Sequence, residues 1–420
     1  MTRKRSNATG TPWELSGFLF AQHFTRKQLY GSGADFIIKK INEKAQKNYY
    51  SKQKQIKNNK DGTFTKAPAA ACVASLEQFE TQSSRGGSQM KVDYHVHLEE
   101  GPYSLRWLTR TAEALLFFQQ PDSPRHSLAW MEEMTARIGK RVAQGAFSRE
   151  WLDLYRVRAK QLGLQEVGVV DHLYRFREFK PYFEQHMHLA DDELGRLQRE
   201  WLDQVCTTSI DEFVSFILSQ QPVWAEDGIA LRLGIEADYF SGGEEVLAPL
   251  VANYPWDHVI GSIHFASGWG FDNPQTQERF LAMSLLDLYE ETFAVVGQAV
   301  ASGLFDIVAH LDNLKVFGHR PPEAKLVPLY RRIAGLLKQH DVATEINTGL
   351  YYRYPVKEMC PSESFLRILR EHDVPITTSS DSHFPDHLGS YLEQARNTLK
   401  QSGYQHIATF EQRKRTLVSL

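Results

Sequence analysis

Seven short β-rich runs alternate with longer helical segments from residue 91 onward, and this alternation limits the possible folds more than any other feature. Strands and helices that alternate in this way favour a parallel sheet, in either a β/α barrel or a doubly wound open sheet. The predicted strands cover residues 91–97, 166–170, 231–236, 258–264, 305–310, 342–347 and 374–379. The predicted helices include residues 149–162, 191–220, 276–302, 322–339 and 361–372.

Ionisable residues stand at the carboxyl ends of most of these runs, and their distribution distinguishes the two architectures. In a β/α barrel the carboxyl ends of all strands form one rim, where active sites are built. An open sheet instead concentrates its site at one switch point. The sequence therefore predicts a seven-stranded TIM-like barrel. The long segments 105–162 and 174–220 predict additional helices that cover the rim.

The motif DYHVH places His95 and His97 two residues apart on the first strand, so both side chains point to the same face and can converge on one cation. Asp381 and His383 repeat this spacing at the last strand. A lone buried carboxylate such as Glu236 is costly, and a metal ion removes that cost. The recurrence predicts a metal site whose candidate ligands are His95, His97, His172, Glu236, His264, His310, Asp381 and His383.

The ordered motifs DYHVH, VVDH, GIE, SIH, AHLD and SDSH resemble those of the polymerase and histidinol phosphatase (PHP) superfamily over residues 91–390. The resemblance implies a distorted seven-stranded barrel that binds two or three divalent ions, namely zinc, iron or manganese. It also implies which residues would bind each ion. His95, His97, Glu236 and Asp381 would hold the first, Glu236, His264 and His310 the second, and His172 and His383 the third.

The loop after the first strand departs from the family pattern. Many members carry a further histidine where this chain has Tyr103. Either Glu99 or Glu100 replaces that ligand, or the third ion is weakly bound or absent.

Clustered divalent ions activate water and stabilise the charge of a phosphoryl transfer, and imidazole with carboxylate ligands suits zinc, iron or manganese. The resemblance, closest to the monofunctional histidinol phosphatases, implies hydrolysis of L-histidinol phosphate to L-histidinol and phosphate, in histidine biosynthesis. The implied nucleophile is a metal-bridging hydroxide at a catalytic centre formed by Asp381, His383 and Glu236. No GxSxG or P-loop motif offers another nucleophile or phosphate site.

A phosphate group also needs cationic side chains near the metals. The candidates are Arg353 after the sixth strand, Lys315 after the fifth, and Arg175 with Arg177 after the second. The substrate amine needs a negative charge, for which Glu99 and Glu100 are candidates.

Two other functions remain open. One is a PHP phosphoesterase that acts on nucleotides or nucleic-acid ends, which would favour a basic face with stacking aromatic residues. Residues 90–420 carry a net charge of −12, which counts against nucleic acid as a partner unless the basic N-terminal part supplies the charge. The other is a non-catalytic barrel that keeps the ions as a structural centre.

The first 89 residues differ in composition from the rest, with 15 Lys and Arg against 6 Asp and Glu. The sequence predicts a basic, loosely ordered extension over 1–89 and a barrel domain over 90–420, with Met90 as a possible natural start of translation. Cys72, Cys206 and Cys360 are isolated, and no apolar run is long enough to span a membrane. Both features favour a cytoplasmic protein, and the oligomeric state stays open.

Overall fold

The computed structural model describes residues 89–420, and seven parallel strands form its central sheet. Neighbouring strands pair in chain order, and the last strand returns to the first through a bridge between Val96 and Ser382. The backbone N–H of His97 donates to the carbonyl of Ser382 at 2.7 Å. The predicted nearly closed barrel is therefore confirmed. Its strands are β1 (Val92–His97), β2 (Glu166–Val170), β3 (Ala230–Asp238), β4 (His258–Ser262), β5 (Ile307–Val308), β6 (Ala343–Asn347) and β7 (Ile376–Ser379).

Helices connect the strands, and the two longest connections hold three helices each, as their length predicts. The helices are α1 (Leu105–Phe118), α2 (Leu128–Gln144), α3 (Arg149–Leu162), α4 (Lys180–His186), α5 (Glu193–Val205), α6 (Ile210–Ala225), α7 (Glu244–Asn253), α8 (Leu285–Ala301), α9 (Glu323–His340), α10 (Gly349–Arg353), α11 (Glu363–Glu371) and α12 (Leu392–Gln401).

The helix predicted over 149–162 is confirmed with the same bounds, because a capping residue defines each of its ends. The Ser148 hydroxyl accepts a hydrogen bond from the backbone N–H of Trp151 and so caps the first turn of α3. Gly163 follows the last turn with φ of +66°, a left-handed conformation that glycine adopts without steric cost.

Two predicted helices are wrong in their extent. The segment 191–220 forms α5 and α6, because the backbone N–H groups of Thr207 and Thr208 bond to the carbonyl of Arg175 instead of continuing a helix. The segment 276–302 begins as a 3₁₀ helix over Pro274–Ala282, and α8 starts only after Ser284. In both cases a tertiary or turn interaction interrupts a pattern that is helical on both sides.

A C-terminal hairpin of β8 (His406–Glu411) and β9 (Lys414–Ser419), which the sequence analysis missed, covers the amino end of the barrel. The Arg413 guanidinium donates to Asp306 at 2.9 Å, and the Arg413 backbone N–H donates to the carbonyl of Asp257 at 2.9 Å. These two acids directly precede β5 and β4. The carboxyl ends of the strands therefore form the open rim.

The remaining predictions concern the N-terminal extension, the cysteines and membrane-spanning segments. The predicted extension over 1–89, including Cys72, falls almost entirely outside the described residues and stays a prediction. Cys206 and Cys360 are free and buried. Within residues 89–420, no helix is long and apolar enough to cross a membrane.

Candidate metal centre

Glu236, at the carboxyl end of β3, is fully buried at the centre of the rim. Its two carboxylate oxygens face different imidazoles. Oε2 lies 3.3 Å from Nε2 of both His95 and His97. Oε1 lies 3.1 Å from Nε2 of His310 and 3.5 Å from Nε2 of His264. One carboxylate thus stands between two pairs of histidines.

The other three predicted ligands complete the same cluster. Nδ1 of His172 lies 2.6 Å from Oε2 of Glu236, and Nε2 of His172 lies 3.4 Å from Nε2 of His383. Oδ1 of Asp381 lies 3.6 Å from Nε2 of His97. The structure therefore brings together all eight residues that the sequence predicts as ligands.

Two of these residues adopt a backbone conformation that is rare outside glycine. His310 has φ of +25° and Asp381 has φ of +52°. Such conformations cost on the order of 1–3 kcal/mol and cluster at functional sites. Gly349 also contributes, because a Cβ atom there would lie only 2.6 Å from Oδ2 of Asp381. The backbone is therefore strained at His310 and Asp381, and the missing side chain of Gly349 leaves room for the Asp381 carboxylate.

Glu345 on β6 orients His95, and the sequence analysis did not assign it a role. Its Oε2 lies 3.1 Å from Nδ1 of His95, and its Oε1 accepts the backbone N–H of His310 at 3.2 Å. A carboxylate can only accept, so Nδ1 of His95 carries the proton and Nε2 points towards Glu236. A histidine held in this way is typical of metal sites.

Asp238 orients His264 in the same way. Its Oδ1 lies 2.7 Å from Nδ1 of His264, so Nε2 of His264 faces Glu236. The sequence carried a signal for both acids: Glu236 and Asp238 are separated by one residue, as are Glu345 and Asn347. This is the same two-residue spacing that singled out His95 and His97.

The charges of the cluster depend strongly on one another. Burial lowers the pKa of His264, but the Asp238 and Glu236 carboxylates outweigh it and raise that pKa to about 10. Burial likewise opposes the Glu345 and Glu236 carboxylates, which raise the pKa of His95 well above its usual range. Protons therefore balance the carboxylates when no metal is bound, and a metal ion must displace them.

Other imidazoles are held neutral. Burial, followed by the neighbouring His172, keeps the pKa of His97 well below its usual range. Burial and the Arg353 guanidinium do the same for the pKa of His383. Neutral imidazoles offer the lone pair that a metal ion needs.

The donor set fits metal ions. Nδ1 of His97 is buried without a hydrogen-bond partner among the described residues, and the 2.6 Å contact between Nδ1 of His172 and Oε2 of Glu236 lacks hydrogen-bond geometry. Two ligand atoms that share one zinc-like ion lie about 3.0–3.5 Å apart, which is close to the separations around Glu236. Three groups have ligand atoms within 4.8 Å of one another and could each hold an ion: His97, His172 and His383; His95, His97 and Asp381; and His172, Glu236 and His264.

The loop that departs from the family pattern brings only one of its candidate acids to the site. Tyr103 is 52% exposed and packs edge-on against Trp107. Glu99 is buried away from the cluster, where it accepts hydrogen bonds from Trp107 and from Arg141 at 2.7 Å. Glu100 lines the cavity above the cluster.

The cavity above the cluster has a volume of about 450 Å³. The cations predicted to bind phosphate differ in whether they line it. Arg353 lines it, and its guanidinium lies 3.3 Å from Oδ1 of Asp381. Lys315 is instead buried and donates to Asp312 at 2.9 Å, and buried Arg175 pairs with Asp171 at 3.1 Å. The structure brings neither Lys315 nor Arg175 to the cavity, because each neutralises a buried acid of its own loop. Arg177 is exposed and donates to the carbonyl of Thr207.

Comparisons with known proteins agree with this arrangement. The model of the PHP domain matches residues 150–349. The chain is 33% identical to the probable histidinol-phosphatase of Deinococcus radiodurans over 217 residues, which cover 51% of this chain and 81% of that protein. It is 22% identical to the probable histidinol-phosphatase of Schizosaccharomyces pombe over 270 residues, 60% of this chain and 81% of that one.

A solved structure has the same fold. It is the histidinol phosphate phosphatase of Lactococcus lactis subsp. lactis, crystallised with zinc, L-histidinol and phosphate. The similarity has a TM-score of 0.52 at 18% identity and covers 78% of this chain and 100% of that chain. It supports the barrel assignment independently of the sequence motifs.

Replacing Glu345 with Gln should weaken metal binding without unfolding the barrel. The Glu345 carboxylate accepts hydrogen bonds from His95, the backbone N–H of His310, Asn347 and Ser379. The amide carries no negative charge and replaces one accepting oxygen with a donor, so zinc affinity should fall about 10- to 100-fold. Competition with a chromophoric chelator measures this change. The matched control is Glu166→Gln, because Glu166 is also a buried strand glutamate but pairs with Arg232 at 3.1 Å and not with a histidine. Equal zinc affinity in the two variants would contradict the role of Glu345.

Proposed function

We propose that this chain, which belongs to the PHP domain family, is a metal-dependent phosphoric monoester hydrolase whose substrate is L-histidinol phosphate. The observation that carries the proposal is the division of Glu236 between two histidine pairs, directly below a cavity lined by Arg353. The names of the relatives from Deinococcus radiodurans and Schizosaccharomyces pombe support the choice of substrate. By the same likeness, we infer a cytoplasmic enzyme of histidine biosynthesis.

The contacts support the division of ligands that the family resemblance implies. His95, His97, Asp381 and Oε2 of Glu236 would hold one ion. His264, His310 and Oε1 of Glu236 would hold a second. Divalent ions held by these residues would activate a water as the nucleophile and would stabilise the charge of the phosphoryl oxygens.

A third ion would depend on His172 and His383. Their Nε2 atoms lie 3.4 Å apart, and His97 is the third member of that group. Because His97 also faces Glu236 and Tyr103 is exposed, this site has fewer ligands of its own than the other two. We therefore propose two firmly bound ions and a weaker third one.

Arg353 would bind the phosphate. Its side chain is only 13% exposed, and it lies against Asp381 and 3.7 Å from Glu100. Burial opposes its charge, but Asp381 raises the pKa of Arg353 further above its usual range, so it stays cationic. A guanidinium in this position can pair with phosphoryl oxygens at the site where Asp381 and His383 approach the substrate.

Turnover of a panel of phosphate esters tests the proposed substrate. We expect phosphate release from L-histidinol phosphate to exceed release from nucleoside monophosphates and from oligonucleotide ends, and a chelator to abolish it. His264→Ala should abolish turnover while circular dichroism stays native, because it removes a ligand of the second ion. His258→Ala is the control, since His258 lies at the other end of β4, where it contacts the carbonyl of Tyr94.

Equal or faster turnover of the nucleotides would contradict the histidinol phosphatase assignment and favour a nucleotide or nucleic-acid phosphoesterase. No chelator-sensitive turnover of any ester would favour a structural metal centre. Wild-type activity in His264→Ala would contradict the ligand assignment.

Arg353→Met should lower kcat/KM about 100-fold, since a charged hydrogen bond to phosphate contributes about 1.5–3 kcal/mol. Its zinc content should remain that of the wild type. Arg320→Met is the matched control, because Arg320 is exposed and pairs with Glu358 at 2.7 Å outside the cavity. An unchanged kcat/KM in Arg353→Met would exclude the proposed phosphate contact.

A further inference from the structure

The cavity above the cluster is lined by five carboxylates, and Asp272 differs from the other four. Glu236 and Asp381 belong to the cluster, and Glu100 pairs with Arg106 at 3.2 Å and lies 3.7 Å from Arg353. Glu200 is exposed at the surface. Asp272 is only partly exposed and has neither an ion pair nor a side-chain hydrogen bond among the described residues.

A short hairpin places Asp272 beside the metal ligands. Its two strand pieces, Phe265–Ala266 and Trp269–Gly270, directly follow His264, and we call it the rim hairpin. The backbone N–H of Phe271 donates to the carbonyl of His264 at 3.2 Å, so the chain returns to the cluster just before Asp272. Gln198 fixes the turn by accepting the backbone N–H of Gly270 at 2.7 Å.

The charge of Asp272 affects the pKa values of two tyrosines that line the cavity. Burial, then Asp238 and Asp272, raise the pKa of Tyr174 well above its usual range. Burial raises the pKa of Tyr354 to about 12, with Asp272 adding to the rise and Arg353 opposing it. Tyr174 and Tyr354 line the same cavity as Asp272. Tyr354 in turn lies within the field of both Arg353 and Asp272.

The cavity is thus lined by opposite charges next to the cluster, the Arg353 guanidinium and the Asp272 carboxylate. A partly buried carboxylate without a partner is costly, and a cationic ligand group would remove that cost. In L-histidinol phosphate only two carbon atoms separate the ester oxygen from the ammonium nitrogen. A group that binds this ammonium must therefore lie near the cluster. Asp272 meets this requirement, because the contact between Phe271 and His264 brings the chain beside the cluster, whereas Glu200 lies at the exposed surface.

We propose that Asp272 binds the ammonium group of the substrate, so that the cavity selects phosphomonoesters with a primary amine on the carbon next to the ester-bearing one. This inference rests on the proposed function. It assigns to Asp272 the role that the sequence suggested for Glu99 and Glu100, because Arg141 neutralises Glu99, and Arg106 and Arg353 neutralise Glu100. Asp272 acts as a specificity residue and leaves the reaction at phosphorus to the cluster.

Kinetics with two substrates test this role in the metal-loaded enzyme. The probes are L-histidinol phosphate and 3-(imidazol-4-yl)propyl phosphate, which lacks only the amine. In Asp272→Asn, kcat/KM for L-histidinol phosphate should fall about 10- to 100-fold, mainly through KM. The value for the analogue and the zinc content should stay unchanged. Glu278→Gln is the control, because it removes an exposed carboxylate six residues further along the same segment.

Each other outcome has a distinct meaning. An equal loss on both substrates, with or without loss of zinc, would overturn the proposal, because Asp272 would then serve the metal or the chemical step. No loss on either substrate would overturn it as well. If the wild-type enzyme hydrolyses other esters but not L-histidinol phosphate, the proposed function itself fails, and the inference fails with it.

Discussion

The rim of this barrel is organised around one buried carboxylate. Glu236 lies at the carboxyl end of β3 with no solvent contact, where an unneutralised charge would cost several kcal/mol. Five imidazoles surround it, and burial is opposed by His172 and His95, which hold the pKa of Glu236 well below its usual range. The carboxylate therefore stays ionised and requires positive charge around it. Protons on histidines can supply that charge, and divalent ions can supply it with more favourable geometry.

Residues around the cluster determine which imidazole nitrogens face Glu236 and which charges line the cavity. Glu345 and Asp238 each hold the far nitrogen of one imidazole, so the near nitrogens converge on Glu236. Arg175 and Lys315 are neutralised by acids of their own loops, whereas Arg353 lines the cavity, which supports the proposal that Arg353 binds the phosphate. Asp272 also lines the cavity and has no ion pair within residues 89–420. The proposed selectivity depends on the charges of Arg353 and Asp272, which both line this cavity.

Much of this could be predicted from the sequence because barrels place the ends of all strands on one rim. The two-residue spacing of His95 and His97 predicted their common face, and the order of motifs located the other candidate ligands. The charged residues beyond the ligands were harder, since the partner of Arg175 or Glu99 is set by loop conformation and not by spacing. Glu345 was missed because it lies inside a strand. The C-terminal hairpin was missed because its two strands, HIATFE and KRTLVS, are short and lack a regular two-residue alternation.

An anomalous difference map from crystals of the zinc-loaded protein tests the central claim most directly. We expect two separate zinc peaks, one within bonding distance of Oε1 of Glu236, His264 and His310, and the other within bonding distance of Oε2 of Glu236, His95 and His97. A map with zinc bound elsewhere, or with no peak bonded to Glu236, would contradict it.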